Sequence, residues 1–173
     1  MTIIATERLA LRPLVPADAA DLARLIADWQ VIRWLIAPPW PYRLADAREY
    51  LASDAAAETR AITLGGDLIG AIGVHETDWG QWPELGYWLG RAWHGNGYMT
   101  EAASAMVDTF FASEGGCLGS GYLPENVASA NVLAKLGFRP AGSRTALARP
   151  LGRQVDLVRV KLGVADWRAS HAG

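Results

Sequence analysis

The most informative segment of this chain is Glu84-Leu-Gly-Tyr-Trp-Leu-Gly-Arg-Ala-Trp-His-Gly-Asn-Gly-Tyr-Met-Thr-Glu-Ala102. It predicts a strand over 84–89, then a tight turn with Gly95 and Gly97, then the start of a helix. The first N–H groups of a helix have no intrahelical partner, and the helix dipole is positive at that end. Because glycine lets the backbone turn tightly and approach a ligand, this pattern predicts a phosphate-binding turn.

Two familiar classes of phosphate-binding turn do not fit these residues. A nucleotide-hydrolysing P-loop has Lys and then Ser or Thr after its second glycine, whereas Tyr98 and Met99 follow Gly97 here. The Gly-x-Gly-x-x-Gly pattern of dinucleotide-binding proteins is incomplete, since Thr100 occupies the position of its third glycine. An ordinary strand-to-helix turn, with no ligand, remains the alternative interpretation.

Hydrophobic spacing and turn residues predict the other elements. We expect strands at 8–14, 61–64, 68–75, 84–89, 117–123, 138–144 and 154–162, and helices at 16–28, 44–54, 100–114 and 124–137. With one further helix expected between residues 28 and 44, the order β-α-α-α-β-β-β-α-β-α-β-β is typical of the α/β class, as a mixed (α+β) sheet flanked by helices with at least one βαβ crossover. Because no linker or internal repeat interrupts it, we expect one domain over residues 1–173.

Composition narrows the class of partner. Of the 173 residues 51% are hydrophobic and 20% charged, with a net charge of −2, which indicates a globular protein and argues against nucleic acid as partner. Cys117 is the single cysteine, so no internal disulfide is possible and we interpret it as a packing residue. No apolar run reaches membrane-spanning length and the N-terminus lacks the pattern of a signal peptide, so we expect a cytoplasmic location and no membrane partner.

Four segments in order, with their spacing, resemble a known superfamily. They are Thr6-Glu-Arg-Leu-Ala-Leu-Arg-Pro-Leu14, Glu84-Leu-Gly-Tyr-Trp-Leu89, Trp93-His-Gly-Asn-Gly-Tyr-Met-Thr-Glu-Ala102 and Pro124-Glu-Asn-Val-Ala-Ser-Ala-Asn-Val-Leu-Ala-Lys-Leu-Gly-Phe138. The chain resembles the GCN5-related N-acetyltransferases (GNAT), and within them the Rim-type branch, named for the Nα-acetyltransferases of ribosomal proteins. The resemblance implies a mostly antiparallel central sheet in which strands 84–89 and 117–123 run parallel and splay apart.

The resemblance also implies acetyl-CoA as cofactor, CoA as product, and no metal. The pantetheine arm would pair with the backbone near residues 88–90, and the pyrophosphate would lie on the amides of the glycine turn. The cofactor-binding residues so implied are Trp88, Leu89, Gly90, Gly95, Asn96, Gly97, Tyr98, Met99, Thr100, Asn126 and Ser129. For Asn126 a helix N-cap is an alternative role, and the two roles are compatible.

The catalytic residues so implied are Glu84 and Ser129. Many relatives carry a tyrosine acid at the position of Leu133, which leaves Ser129, or a water, to protonate the departing thiolate. A capping role is the alternative for Ser129. Glu84 would remove the proton of the amine through a water, with His75 as second choice and a solvated strand-end carboxylate as the alternative. A backbone N–H near Leu89 would polarise the thioester carbonyl.

The expected reaction is direct attack of a primary amine on acetyl-CoA in a ternary complex. The acceptor is either a protein N-terminus or a small-molecule amine, and the enzyme either a monomer or a homodimer. A non-catalytic acyl-CoA sensor or interaction module is the alternative function. We expect acceptor specificity to come from residues 29–42 and from the loop Trp79–Trp82. Gly70 and Gly73, inside a strand, predict close approach of another chain segment or a ligand.

Overall fold

A computed structural model of the chain describes residues 2–78 and 80–171. Its strands are β1 Ile4–Ala5, β2 Leu9–Pro13, β3 Thr59–Leu64, β4 Asp67–His75, β5 Glu84–Leu89, β6 Cys117–Tyr122, β7 Arg139–Ala148 and β8 Arg153–Gly163. Its helices are α1 Ala19–Ile26, α2 Trp29–Ile32, α3 Leu44–Leu51, α4 Asp54–Ala57, α5 Tyr98–Ser113, α6 Val127–Lys135 and α7 Val164–His171, with 3₁₀ turns at Pro16–Asp18, Arg91–Trp93 and Arg149–Leu151.

In the part of the chain described, eight strands form one sheet in the order β1-β2-β3-β4-β5-β6-β8-β7. Neighbouring strands are antiparallel except β5 and β6, which are parallel and joined by the crossover helix α5. This confirms the predicted fold class, a mixed sheet with one parallel pair and flanking helices. The sequence analysis gave no bounds for β1, α2 and α4 because elements of two to four residues are too short to show a hydrophobic period. It also missed α7, which has eight residues.

Hydrophobic packing holds helices against both faces of the sheet. On one face, α5 and α6 bury a large cluster whose central members include Leu11, Ile72, Val107, Leu118 and Leu162. On the other face, α1 and α3 enclose a smaller cluster around Leu22 and Ala61. A third cluster lies on the β7–β8 hairpin, where Trp34 and Ile36 pack. The sheet is therefore covered around the β5–β6 pair from both sides.

Strands β5 and β6 separate almost as soon as they meet. Their pairing consists of Glu84 opposite Gly119, supported by Gly119 N donating to Pro83 O at 2.8 Å and Ser120 Oγ donating to Leu85 O at 2.8 Å. Successive residues of a strand direct their N–H and C=O groups to opposite edges. Because Leu85 faces β6, the N–H groups of Tyr87 and Leu89 face the gap. The predicted splay is present.

Two predicted features differ in detail from the structure. Helix α5 begins at Tyr98, two residues before the predicted start, because Gly97 at φ +78° already serves as its N-cap. The close approach expected at Gly70 and Gly73 is made by the protein itself. A Cβ at Gly70 would collide with Trp88 O and Leu89, and one at Gly73 would lie 2.6 Å from His75 Nε2. No helix in residues 2–78 and 80–171 is long and apolar enough to cross a membrane.

Candidate active site

A cavity of about 680 Å³ occupies the gap between β5 and β6 and brings most of the predicted site together. Its lining includes Tyr87 and Ser129 from the α6 side of the sheet. It also includes Gly86 and Trp88, which alternate with Tyr87 along β5 and therefore look to the face covered by α1 and α3. Trp34, after α2, completes that wall. The cavity is thus reached from both faces of the sheet.

The glycine turn has the geometry of an anion site. Gly95 and Gly97 both have φ +78°, in the left-handed region that favours glycine. The N-terminus of α5 has no side-chain cap, and its first intrahelical hydrogen bond runs from Glu101 N to Gly97 O at 3.1 Å. The N–H groups of Tyr98, Met99 and Thr100 therefore lack intrahelical acceptors. They point out of a helix of 16 residues, where the dipole favours an anion.

Side chains beside the turn brace it and leave its amides free. Asn96 Nδ2 donates back to His94 O at 3.0 Å and to Trp93 O at 3.3 Å. Asn96 itself does not line the cavity. His94 Nε2 lies 2.9 Å from Leu89 O. That contact uses the carbonyl of Leu89 and leaves its N–H toward the gap. Arg91 does line the cavity, where a guanidinium suits a phosphate.

Glu101, in the first turn of α5, is directed away from the free amides. It accepts from Thr6 Oγ1 at 2.6 Å, from Arg8 N at 2.8 Å and from Arg8 Nε at 2.7 Å. Burial favours the neutral carboxyl, yet the hydrogen bonds from Thr6 and Arg8 outweigh it and hold the pKa of Glu101 below its ordinary value. The guanidinium of Arg8 also lies 4.6 Å from the Tyr98 ring centre and donates to Asn96 O at 3.1 Å. These contacts fix the turn from outside the cavity.

Asn126 and Ser129 form the opposite wall at the start of α6. Asn126 Oδ1 accepts from Ser129 N at 3.2 Å, which confirms the N-cap interpretation of Asn126. Both residues line the cavity. The cap thus fixes Ser129 on the first turn of α6 while both side chains remain at the gap. Leu133, four residues further, is buried in the core with 1% exposure.

Tyr87 is a site residue that the sequence analysis missed. Its hydroxyl lies 3.0 Å from Ser129 Oγ and 3.4 Å from Ser129 O, across the gap between β5 and α6. Burial raises the pKa of Tyr87 to about 12, partly offset by the hydrogen bond to Ser129. The available signal was the alternation of β5, which puts Leu85, Tyr87 and Leu89 on one face. The alternation could not indicate that the Tyr87 hydroxyl contacts Ser129, which is 42 residues away in the sequence.

The two residues considered for the role of base stand beside the cavity and not in its lining. Glu84 is ion-paired with Arg159 of β8 at the point where β5 and β6 meet. His75, the Cα partner of Glu84 on β4, places Nδ1 3.2 Å from Glu58 Oε2 and Nε2 3.4 Å from Thr59 Oγ1. For Glu84 to act on an amine, a water would have to connect it to the gap, and Arg159 competes for the same carboxylate.

The remaining predicted residues contribute mainly through backbone or packing. Trp88 packs on the α1–α3 cluster, and the side chain of Met99 is buried beneath α5. Gly90 is buried and does not line the cavity; a Cβ there would lie 2.8 Å from the Trp93 ring. Burial raises the pKa of the Cys117 thiol, so this cysteine is not an activated nucleophile.

One of the two segments expected to set acceptor specificity, residues 29–42, contributes to the cavity lining. The cavity lining includes Gln30, Val31, Trp34, Leu35 and Ile36 from the predicted 29–42 segment. Of the predicted Trp79–Trp82 loop, Trp79 lies outside the described residues, and Trp82 lies under the Lys161 ammonium, 5.1 Å from the ring centre.

Comparison with known proteins identifies the family. Residues 8–139 match the family model described as acetyltransferase (GNAT) domain, so the chain belongs to the GNAT family and is an acetyltransferase. It is 27% identical over 172 residues to the uncharacterized N-acetyltransferase p20 of Bacillus licheniformis, which covers 94% of this chain and 96% of the relative.

Solved structures show the same fold. A GNAT-family acetyltransferase from Bacillus anthracis superimposes with a TM-score of 0.82 at 22% identity, covering 95% of this chain and 99% of that one. RimL, described as a ribosomal L7/L12 α-N-protein acetyltransferase and solved with coenzyme A, gives a TM-score of 0.78 at 19% identity over 96% of this chain and 99% of its own. The predicted GNAT membership is confirmed.

The residues present fit acetyl-CoA, the acetyl donor of this family. The uncapped amides of residues 98–100 suit its pyrophosphate. The N–H groups of Tyr87 and Leu89, which face the gap, suit carbonyl oxygens along its extended arm and at its thioester. Asn126 and Ser129 line the cavity beyond them. The site therefore has donors along the length of an extended phosphate-bearing molecule, ending where β5 and β6 separate.

Proposed function

We propose that this protein transfers the acetyl group of acetyl-CoA to the N-terminal α-amine of a polypeptide, by direct attack in a ternary complex. The observation that carries the proposal is the cavity at the β5–β6 gap, whose lining residues come from both faces of the sheet. One half of the cavity contains the anion-binding turn. The other half, here called the acceptor half, opens beside Gly86 toward the segment after α2. Two ligands can thus meet at the gap from opposite faces.

The acceptor half favours an uncharged group next to the amine. It is lined by Val31, Trp34 and Ile36, with Gln30 as a polar neighbour. The charged side chains of the lining, Arg91 and Lys135, belong to the half formed by the glycine turn and α6. A polyamine would find no carboxylate in this lining to bind its second cation, whereas a chain terminus with a small or apolar first residue would fit. The structural neighbour RimL is named as an α-N-protein acetyltransferase of ribosomal L7/L12.

The protonation state of the amine supports the same choice. An α-amine has a pKa of about 7.7–8.0, so about one molecule in ten is neutral at pH 7, whereas a lysine-like amine with a pKa of about 10.4 is neutral in only about one of 2,500. No carboxylate lies in the lining described, and that of Glu84 is held by Arg159. A site with such weak basic assistance is best matched to the α-amine.

The chain's own groups have separate tasks in this scheme. When bound, acetyl-CoA supplies a thioester whose carbon accepts the amine lone pair and whose C–S electron pair leaves with sulfur. The N–H of Leu89, directed at the gap, would donate to the carbonyl oxygen. Ser129 Oγ would donate its proton toward the sulfur, and Glu84 would receive the surplus amine proton through a water. The free amides of residues 98–100 would hold the pyrophosphate.

The test uses the purified protein with acetyl-CoA and three acceptors: a peptide with a free N-terminal alanine and an internal lysine, the same peptide with a blocked N-terminus, and spermidine. Free thiol is followed with a thiol reagent, and the acetylated position is located by mass spectrometry. We expect acetylation of the free N-terminus only. Modification of lysine or spermidine alone would contradict the acceptor, and cofactor binding with no acetylation of any amine would contradict the reaction.

A glycine pair provides matched variants for the acceptor half. A Cβ at Gly86 meets nothing within 4 Å, and the same is true of Gly115 in the loop after α5. Gly86→Val places a branched side chain in the acceptor half, so we expect KM for the peptide to rise about tenfold with the Kd for CoA unchanged. Gly115→Val is the control and should change neither constant. Equal KM values in the two variants would show that the peptide does not enter beside Gly86.

A further inference from the structure

The contact between Tyr87 and Ser129 joins two elements that otherwise separate at the cavity. Tyr87 belongs to β5 and Ser129 to the first turn of α6, and both line the gap. Their hydroxyl oxygens are 3.0 Å apart, a normal O–H···O distance. Resting on the proposed function, we infer that Tyr87 is a positioning residue for Ser129: its O–H donates to Ser129 Oγ and leaves the serine proton free to face the CoA sulfur.

The direction of the hydrogen bond follows from the chemistry of the two groups. A phenol is more acidic than an alcohol, so it is the better donor and the alcohol oxygen the better acceptor. The other oxygen within reach of the Tyr87 hydroxyl is Ser129 O, at 3.4 Å, which can only accept. Burial holds the pKa of Tyr87 at about 12, so the phenol keeps its proton at working pH. Of these two oxygens Ser129 Oγ is the nearer, at 3.0 Å, and we assign it as the acceptor from Tyr87.

This arrangement implies which way the Ser129 hydroxyl would direct its own proton. Ser129 Oγ receives one hydrogen from Tyr87 and carries one of its own, and its backbone N is held by Asn126 Oδ1 at 3.2 Å. Because Tyr87 contacts the hydroxyl oxygen of Ser129 and Asn126 holds its backbone N–H, the serine O–H is left to point into the cavity. As the C–S bond breaks, its electron pair stays on sulfur, which accepts from Ser129 Oγ. Ser129 would pass its proton to the sulfur, and the proton lost by the amine, received by Glu84 through a water, would replace it, so that no net charge is left.

The kinetic test compares tyrosines that make the same kind of bond. Tyr87→Phe removes the hydroxyl that contacts Ser129. Tyr50→Phe is the matched control, because Tyr50 OH donates to Thr59 Oγ1 at 2.8 Å away from the cavity. We expect Tyr87→Phe to lower kcat about tenfold with KM for acetyl-CoA unchanged, and Tyr50→Phe to leave kcat unchanged. In a Ser129→Ala background, Tyr87→Phe should have no further effect on kcat.

A binding measurement gives a readout that does not depend on turnover. Calorimetry with CoA and with desulfo-CoA, which lacks the thiol, isolates the contribution of the sulfur. We expect the wild-type protein to prefer CoA, and Ser129→Ala and Tyr87→Phe each to lose most of that preference while binding desulfo-CoA equally well. Tyr50→Phe should keep it.

The outcomes separate this inference from the proposed function. If Tyr87→Phe matches Tyr50→Phe in kcat and in the preference for CoA while wild type acetylates peptides, Tyr87 does not position Ser129 and the proposed function stands. If wild type neither acetylates an amine nor distinguishes CoA from desulfo-CoA, the proposed function fails and this inference fails with it. A drop in thermal stability alone, without a change in kcat, would also overturn the role of Tyr87.

Discussion

Arg8 Nε lies 2.7 Å from Glu101 Oε2, and this ion pair joins the segment before β2 to the first turn of α5. The side chain of Arg8 is 41% exposed and that of Glu101 16%. An isolated surface pair contributes little to stability. This one is part of a set, since Arg8 also donates to Asn96 O at 3.1 Å and covers the ring of Tyr98. Its effect should therefore concern the shape of the turn more than the stability of the fold.

Replacing Arg8 should weaken cofactor binding. Arg8→Met keeps much of the side-chain volume but removes the side-chain contacts to Glu101 and Asn96. Glu101 then keeps its hydrogen bonds from Thr6 and the backbone N–H of residue 8 but has no cation beside it. We expect the Kd for CoA to rise about tenfold, corresponding to about 1.4 kcal/mol. Calorimetry measures it. Arg24→Met breaks an exposed pair with Asp21 elsewhere on the molecule and is the control; a Kd equal in both variants would refute the bracing role.

A side chain at Gly97 should abolish cofactor binding while the protein stays folded. Gly97 has φ +78°, and an added Cβ would lie 3.5 Å from Arg8 Nη2. A branched residue in the left-handed region costs about 1–2 kcal/mol, which is relieved by distorting the turn. We expect Gly97→Val to raise the Kd for CoA more than a hundredfold. Gly116→Val is the control, because Gly116 also has positive φ but lies away from the cavity. Retained affinity in Gly97→Val would contradict the anion site.

The base role of Glu84 can be separated from its structural role by measuring rate and stability in the same variant. If Glu84 accepts the amine proton through a water, Glu84→Gln should lower kcat/KM about a hundredfold. If its task is the ion pair with Arg159, the variant should lose stability and keep kcat/KM. Arg159→Met tests the same point from the other side, since it frees the carboxylate without removing it.

Acid stability should depend on Asp18, which lies apart from the active site. Arg12 donates to both its oxygens, at 2.7 and 2.8 Å, and Val15 N donates at 2.8 Å. Burial opposes ionisation of Asp18, but these hydrogen bonds prevail and its pKa lies below the ordinary value. A carboxyl with a lowered folded-state pKa contributes stability above its unfolded pKa of about 3.9, and loses it as pH falls through the folded value.

We therefore expect Asp18→Asn to lower the free energy of unfolding by about 2 kcal/mol at pH 7. The difference from wild type should shrink as the pH falls below about 4. Urea denaturation at both pH values measures the two free energies. Asp21→Asn, at an exposed pair with Arg24, is the comparison and should cost less than about 0.5 kcal/mol. A difference independent of pH would contradict the coupling to the Asp18 carboxylate.

Local signals explain what the sequence could predict. The positive φ of Gly95 and Gly97 and the cap formed by Asn126 each arise within a few residues, and both follow from side-chain type alone. The contacts that the sequence left open join distant segments. Tyr87 and Ser129 are 42 residues apart, and Arg159 and Glu84 are 75 apart. The first depends on α6 packing beside β5, and the second on β8 lying next to β6 in the sheet, and no local period encodes either arrangement.

The gap between β5 and β6 has a consequence for the cooperativity of the sheet. Strands β1 to β5 and strands β6, β8 and β7 form two blocks whose hydrogen bonding across the seam ends near Glu84 and Gly119. Unfolding free energy is not uniform in a protein, and such a seam is where local opening should begin. An extended ligand bonded to the amides of Tyr87 and Leu89 would act as an intervening ninth strand. Those two amides should then exchange with solvent deuterium rapidly in the free protein and slowly in the complex.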